Sequence, residues 1–175
     1  MKKFFVFMTV MAAMALTVVS CSKSEDGDSE ENRLKFANAL TQNSTSCTWE
    51  GFDKAQRKEM GNNWNDERQS YVVIRFDRAS TSSTTGTGMI LTFENMYKDV
   101  ENFKEASEFT WYFDNDQLHI SYRHQGWKPV YAEYRTQELV ISGDTFRGYW
   151  FEQTDFRYQF SYTKSAFNEW NKFVN

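Results

Sequence analysis

The chain has 175 residues and a formal net charge of −4, and 18% of its residues are aromatic. This length indicates one domain, and the negative charge argues against a nucleic-acid-binding protein, which would need a basic face. The aromatic enrichment favours β-strands over helices.

The first element in chain order is a predicted lipoprotein signal peptide over residues 1–20. Lys2 and Lys3 precede residues 4–19, which carry no charge and number fewer than the ~20 apolar residues of a membrane-spanning helix. The run ends in Val18-Val19-Ser20-Cys21, which resembles the lipobox of bacterial lipoproteins. The resemblance implies cleavage before Cys21, acyl chains on that cysteine and a lipid anchor in the outer membrane. An uncleaved anchor and a secretory signal with a chance cysteine are the alternatives.

Residues 21–32 are predicted to form a disordered acidic tether. The stretch from 22 to 31 contains five acidic residues, one lysine and no apolar side chain, so it cannot bury surface. Acidic residues directly after a lipidated cysteine are similar to the export signal of Bacteroidetes surface lipoproteins, which implies display on the cell surface. With Cys21 acylated, Cys47 has no intramolecular disulfide partner and is expected to be a small buried apolar residue.

A short helix is predicted over residues 33–40, with Leu34, Ala37 and Leu40 on one side. The hydrophobic pattern then changes to a period of two, which indicates β-strands separated by loops over 79–87 and 95–106. The predicted strands cover residues 46–52, 70–77, 88–94, 109–113, 118–122, 130–134, 138–142 (a continuation or a separate strand), 146–150 and 156–162. A turn at Asp114-Asn115-Asp116 joins the clearest hairpin, and Phe167, Trp170 and Val174 predict a terminal helical turn.

No long helix separates these eight or nine strands, so parallel crossovers are not expected. We therefore predict an all-β domain over residues 33–175, an antiparallel meander closed as a barrel or stacked as a sandwich. Four features resemble the small lipocalin-like lipoproteins of Bacteroidetes and imply a lipocalin-like barrel: Thr48-Trp49-Glu50-Gly51, Gly86-Thr87-Gly88, the hairpin at 109–122 and Phe146-Arg147-Gly148. The chain departs from true lipocalins at Cys47, where their Gly-x-Trp motif has glycine.

The large residues of the alternating strands are expected to point into the barrel. They are bulky enough to fill it, although an eight-stranded barrel can also hold one small molecule; both alternatives stay open. The predicted inward set is Val72, Ile74, Phe76, Phe109, Trp111, Phe113, Leu118, Ile120, Phe146, Trp150, Tyr158 and Phe160.

The sequence leaves three non-enzymatic functions open. The first two are a small apolar ligand bound at the barrel mouth and a glycan or protein bound at exposed aromatic side chains. The third is an accessory subunit of a surface complex with no small-molecule site. Outward rings such as Tyr149 and Phe151 could equally pack beneath loops or the terminal helical turn. The candidate binding residues are Trp111, Tyr112, Trp127, Tyr131 and Trp150.

No catalytic site, metal site or cofactor is expected. His119 and His124 point to opposite faces of a strand end, so they do not predict a shared metal site, and both are expected to be exposed. Asp114 and Asp116 sit in a tight turn, where aspartate is expected for turn geometry alone. An enzyme that uses these carboxylates or His119 is the remaining alternative.

Overall fold

The computed structural model describes residues 19–20, 29–59, 63–114, 116–124, 130–153 and 155–174. For residues 19–20, 123–124, 130–132 and 152–153 it describes the backbone alone. The predicted tether over residues 21–28 and the loop that carries Trp127 lie outside the described residues.

Eight long strands form the body of the protein, and every pairing between them is antiparallel. Strands that follow one another in the chain pair as hairpins, and the last long strand (Phe156–Ser165) pairs back onto the first (Ser46–Lys58), which closes the sheet into a barrel. The predicted antiparallel meander is therefore confirmed as a barrel rather than a sandwich. The elements are β1 (Val19–Ser20), α1 (Glu30–Leu40), β2 (Ser46–Lys58), β3 (Trp64–Asp77), β4 (Thr85–Phe93), β5 (Phe103–Asp114), β6 (Gln117–His124), β7 (Val130–Ser142), β8 (Thr145–Gln153), β9 (Phe156–Ser165) and a 3-10 turn (Trp170–Lys172).

Several strands are longer than predicted, and β2 and β3 are among them. These two strands extend beyond the alternating apolar segment, because cross-strand pairing does not require an apolar side chain at every position. On the extension, the ion pairs Lys54–Asp66 and Arg57–Glu67 join them at 3.1 Å and 2.8 Å. The region 95–106, predicted as a loop, contributes its last residues to β5, and no helical turn forms in its described part.

The helix α1 begins at Glu30, three residues before the predicted start at residue 33. The Ser29 side chain accepts a hydrogen bond from the backbone N–H of Asn32 at 3.2 Å, as an N-cap does. Glu30 and Glu31 lie in the first turn, where negative charge is favourable.

This helix lies across one end of the barrel, which we call the closed end. Its buried residues are Phe36, Ala37 and Leu40, so Phe36 replaces the predicted Leu34 on the apolar side. Phe36 stacks on Phe113 of β5 with ring centroids 5.4 Å apart. The Trp49 indole N–H donates a hydrogen bond to the carbonyl oxygen of Leu40 at 2.9 Å, which fixes the end of the helix against β2.

The barrel interior is packed with the predicted inward set, which forms one core cluster together with the α1 residues; Tyr158 is partly buried and packs against this cluster. Cys47 belongs to the same cluster and is buried, as expected. A second apolar cluster lies outside the barrel on β3, β4 and β5, where the C-terminal segment covers it. Trp170 packs there, with the Arg75 guanidinium 4.7 Å from its ring centroid, so the predicted terminal turn is confirmed.

Candidate functional site

A cavity of about 110 Å³ opens into the barrel at the end opposite α1. Each of the eight barrel strands contributes at least one inward residue to its wall. The lining residues are Asp53, Ala55, Arg68, Ser70, Val72, Ile74, Ile90, Thr92, Glu105, Ser107, Ile120, Tyr122, Tyr134, Trp150 and Tyr158. The apolar members continue into the packed core, whereas the polar members lie towards the loops between strands.

Asp53 is the most unusual group in the wall. It shares the inward face of β2 with Trp49, Gly51 and Ala55, as the two-residue period of a strand requires. The Tyr162 hydroxyl donates a hydrogen bond to Asp53 Oδ1, and the side chain of Trp150 donates one to that same hydroxyl. Burial raises the pKa of Asp53 to about 7, and the Tyr162 hydrogen bond offsets part of this increase.

Gly51 makes room for this arrangement. A Cβ atom at residue 51 would lie 2.1 Å from the backbone oxygen of Ser161 and 2.9 Å from the Cα atom of Tyr162. The glycine therefore lets β9 approach β2 closely and brings the Tyr162 hydroxyl within reach of Asp53.

Four aromatic side chains share the cavity wall with Asp53. Tyr122 and Tyr134 stack with ring centroids 5.3 Å apart, and Tyr158 lies 6.1 Å from Tyr134. Trp150 is buried and stacks on Phe160 at 4.9 Å. The four rings therefore come from four neighbouring strands, β6 to β9, and each packs on another aromatic ring.

The mouth of the cavity carries charge of both signs. Arg68 on β3 and Glu105 on β5 are both exposed, and Ser70, Thr92 and Ser107 lie between them and the apolar floor. The cavity is therefore amphipathic, and its polar wall does not match the predicted site for a purely apolar ligand.

The predicted binding residues do not come together. Trp150 lines the cavity, whereas Trp111 lies in the filled half of the barrel and is absent from the wall. Tyr112 lies on the outer face, 38% exposed, and its hydroxyl donates to Glu133 Oε1 at 3.1 Å. Cys21, Trp127 and the side chain of Tyr131 lie outside the described residues.

The outward rings Tyr149 and Phe151 are partly covered rather than free. The Arg157 guanidinium lies 4.0 Å from the ring centroid of Tyr149 and 4.1 Å from that of Trp64, so it fills the space between them. Trp64 also meets Phe151 edge to face at 6.2 Å. An open stacking platform for a sugar is thus missing from this part of the described surface.

His119 is more enclosed than expected, with its side chain 12% exposed. Its ring stacks on Tyr112 at 4.7 Å, and Nδ1 lies 3.0 Å from Glu133 Oε1. The Glu133 side chain is 57% exposed, so this pair lies on the outer surface and away from the cavity. Hydrogen bonds from His119 and Tyr112 lower the pKa of Glu133.

Cys47 is buried, and its thiol is held in the protonated form. Burial raises the pKa of the Cys47 thiol to about 11, which disfavours the thiolate. Within the described ranges, no group of three or more His, Cys, Asp or Glu side chains is placed to hold a metal ion.

Comparisons with protein-family models, with curated proteins and with solved structures found no match. The resemblance to lipocalin-like lipoproteins therefore stays a prediction. None of the helices in the described part of the chain is long and apolar enough to cross a membrane.

Sequence reasoning missed the polar half of the cavity wall. A signal was available, because continuing the two-residue period from Trp49 places Asp53 and Ala55 on the inward face. The same extension from Val72 towards the N-terminus places Ser70 and Arg68 there. The prediction stopped where the residues became polar, since inward positions were assumed to be apolar.

Proposed function

We propose that the protein is a non-enzymatic, lipid-anchored binding protein of the bacterial outer membrane, and that its barrel takes up a small amphipathic ligand. The observation that carries this proposal is the cavity at the open end, which all eight barrel strands line. Ligand sites in β-barrels typically lie at such a mouth, with an apolar floor and a few polar groups that orient the ligand.

The size of the cavity limits the ligand. Pockets for drug-sized molecules are roughly 300–1,000 Å³, and this cavity is about 110 Å³. We therefore expect a compound of a few non-hydrogen atoms, or one end of a larger compound whose remainder stays outside the barrel.

Native mass spectrometry of the protein purified from its own membrane tests the proposal. A retained small molecule is expected on the wild type and absent from Ser107→Trp, which places a large ring in the cavity. Glu108→Trp is the matched control, because Glu108 is the neighbouring residue on the exposed outer face. The barrel site is contradicted if no small molecule adds mass to the wild type and if the Ser107→Trp and Glu108→Trp proteins co-purify with the same partner proteins.

A protein partner is a second candidate, supported by the loop between β4 and β5. Met96, Tyr97 and Val100 are 59%, 68% and 71% exposed there. Lys98 fixes the loop, since its Nζ lies 2.9 Å from Glu50 Oε2 on the outer face of β2. Exposed apolar side chains on a fixed loop are typical of protein contact sites. Cross-linking at Tyr97 in whole cells would identify such a partner.

A further inference from the structure

Asp53 keeps one carboxylate oxygen available in the cavity. Oδ1 accepts the hydrogen bond from Tyr162, whereas Oδ2 has no hydrogen-bond partner among the described residues. No buried side-chain oxygen or nitrogen in that part of the chain lacks a partner, so Oδ2 is not sealed from solvent. It therefore faces the space that a ligand would occupy, since Asp53 itself lines the cavity.

Among the described residues, no cationic side chain pairs with Asp53 in the cavity wall. Arg68 is exposed at the mouth of the cavity, and the pKa of Asp53 is set by burial and by the Tyr162 hydrogen bond. A carboxylate held in such a place lacks a counter-ion, and a cation that entered the cavity would supply one.

The aromatic rings favour the same kind of ligand. Tyr122, Tyr134, Trp150 and Tyr158 line the cavity together with the carboxylate. Ring faces carry a negative quadrupole and attract cations, most strongly when water is excluded, and aromatic cages recognise quaternary ammonium groups in this way. The tryptophan also positions the carboxylate, because it donates to Tyr162, which in turn donates to Asp53.

We propose that the cavity binds a small organic cation, an amine or a quaternary ammonium ion, with its charge against Asp53 and its carbon atoms among the aromatic rings. This inference rests on the proposed ligand-binding function and specifies its ligand class. The apolar floor of Val72, Ile74 and Ile120 accommodates the uncharged part of the ligand.

The choline cation and 3,3-dimethylbutan-1-ol are a matched pair of probes, because the second is the uncharged carbon analogue of the first. Isothermal titration calorimetry at pH 8 should show choline binding at least tenfold more tightly than the alcohol. Equal affinities, or tighter binding of the alcohol, would overturn the cation proposal and leave a ligand-binding barrel in place. Lack of binding by both probes, together with no retained molecule in the native mass spectrum, would count against the barrel site itself.

Asp53→Asn keeps the shape of the side chain and removes its charge, so it should weaken choline binding at least tenfold and leave the alcohol unaffected. Asp66→Asn is the control, because Asp66 is exposed and pairs with Lys54 outside the cavity. Equal losses in both variants would contradict a specific role for Asp53. The comparison of the two probes on the wild type needs no variant, so the test survives if Asp53→Asn fails to fold.

The pH dependence gives an independent readout. If choline binds only the ionised carboxylate and the pKa is about 7, affinity should fall about tenfold from pH 8 to pH 6. Among the described residues, the other titratable or charged groups of the wall and of Asp53's own contacts are Arg68 on β3, Glu105 on β5, Tyr122 on β6, Tyr134 on β7, and Tyr158 and Tyr162 on β9. An equally large fall in Asp53→Asn would assign the dependence to another group and overturn the proposal.

Discussion

Trp111 shows how a single large side chain is fixed in the filled half of the barrel. Its indole Nε1 lies 2.9 Å from the carbonyl oxygen of Thr87 and 3.1 Å from that of Asp77, so its polar atom is satisfied although the residue is 1% exposed. Gly86 permits this approach, because a Cβ atom there would lie 2.7 Å from Nε1. The ring is therefore a structural residue and not part of the cavity.

Trp111→Ala should lower the free energy of unfolding by about 3–5 kcal/mol, since it leaves a large hole in a packed core. Tyr112→Ala, next in sequence on the outer face, should cost about 1 kcal/mol or less. Urea denaturation of the two variants measures the difference. Similar losses of unfolding free energy in both variants would mean that Trp111 and Tyr112 are buried to a similar extent.

Asp53 should impose a pH dependence on stability. Its pKa is about 7 in the folded protein and about 3.9 in an unfolded chain, so between these values the folded state binds more protons. Its contribution to stability is therefore full below pH ~4 and is lost as the pH rises through 7. Cavity water screens the charge, and the expected loss is up to about 3 kcal/mol.

Denaturation of the wild type and Asp53→Asn at intervals between pH 4 and pH 8 isolates this contribution. As the pH rises from 4 to 8, the unfolding free energy of the wild type should fall relative to that of Asp53→Asn. A difference that stays constant over this range would show that Asp53 titrates alike in the folded and unfolded states.

At the scale of residues, the sequence predicted the large inward side chains and not the small or polar ones. Phe76, Phe109 and Ile120 alternate with polar neighbours, so their direction follows from the strand period alone. Asp53 has no such signature, because an aspartate in a strand is expected to face water. Its burial depends on the partner Tyr162, which is 109 residues away in the sequence.

Among the elements, α1 is joined to the barrel by Arg78, which is 6% exposed, as well as by its apolar residues. The Arg78 guanidinium donates to the side-chain oxygen of Asn38 on α1 at 2.7 Å and to the carbonyl oxygens of Ser44 and Ser83 at 2.9 and 3.2 Å. One side chain thus joins the helix, the connection that follows it and the loop between β3 and β4. Burial lowers the pKa of Arg78.

Arg78→Met should destabilise the protein by about 2–4 kcal/mol, because it removes three hydrogen bonds that a buried charged group donates. Arg147→Met is the control, since Arg147 is exposed on β8. Thermal unfolding and hydrogen exchange should also show α1 opening before the strands. Uniform exchange across α1 and the barrel in Arg78→Met would argue against this anchoring role.

The C-terminal segment is the second element that packs on the barrel from outside. Phe173 meets Phe93 and Phe103 with ring centroids 5.2 Å from each, and together with Trp170 it covers the outer apolar cluster. Removing residues 166–175 should expose Val73 and Leu91 to water and increase binding of the dye ANS. Unchanged dye binding and an unchanged melting temperature would show that the segment is dispensable.

The elements were predicted best where side chains alternate in character. The hairpin of β5 and β6 follows this rule, and β5 ends at Asp114 and β6 begins at Gln117, on either side of the predicted turn. The extension of β2 and β3 could not be predicted in this way, because Lys54 and Arg57 have low strand propensity and are held by cross-strand charges. Likewise, the start of α1 at Glu30 depends on a cap at Ser29 inside a segment whose composition favours disorder.

For the whole molecule, the closed barrel follows from a consecutive series of hairpins from β2 to β9 together with the pairing of β9 onto β2. The consecutive predicted strands were enough to anticipate the hairpins, but closure depends on the contact between β2 and β9, which are distant in the sequence. The proposed membrane attachment is a separate prediction, because it rests on the first 21 residues of the sequence.

Cys21→Ala should move the protein from the membrane fraction to the soluble fraction, because it removes the site of acylation. Cell fractionation followed by mass spectrometry of the N-terminal peptide measures the change, and Cys47→Ala is the matched control. Retention of the Cys21→Ala protein in the membrane would contradict the lipid anchor.

The position of α1 also determines which way the barrel would face. The chain passes from residue 29 into a helix that blocks one end, and the cavity lies at the other end. With an acyl group at Cys21, the eight residues before Ser29 could reach at most about 28 Å, which brings the blocked end nearest to the bilayer. The mouth would then point towards the surrounding medium, so that a ligand would arrive by diffusion through water and not laterally from the lipid.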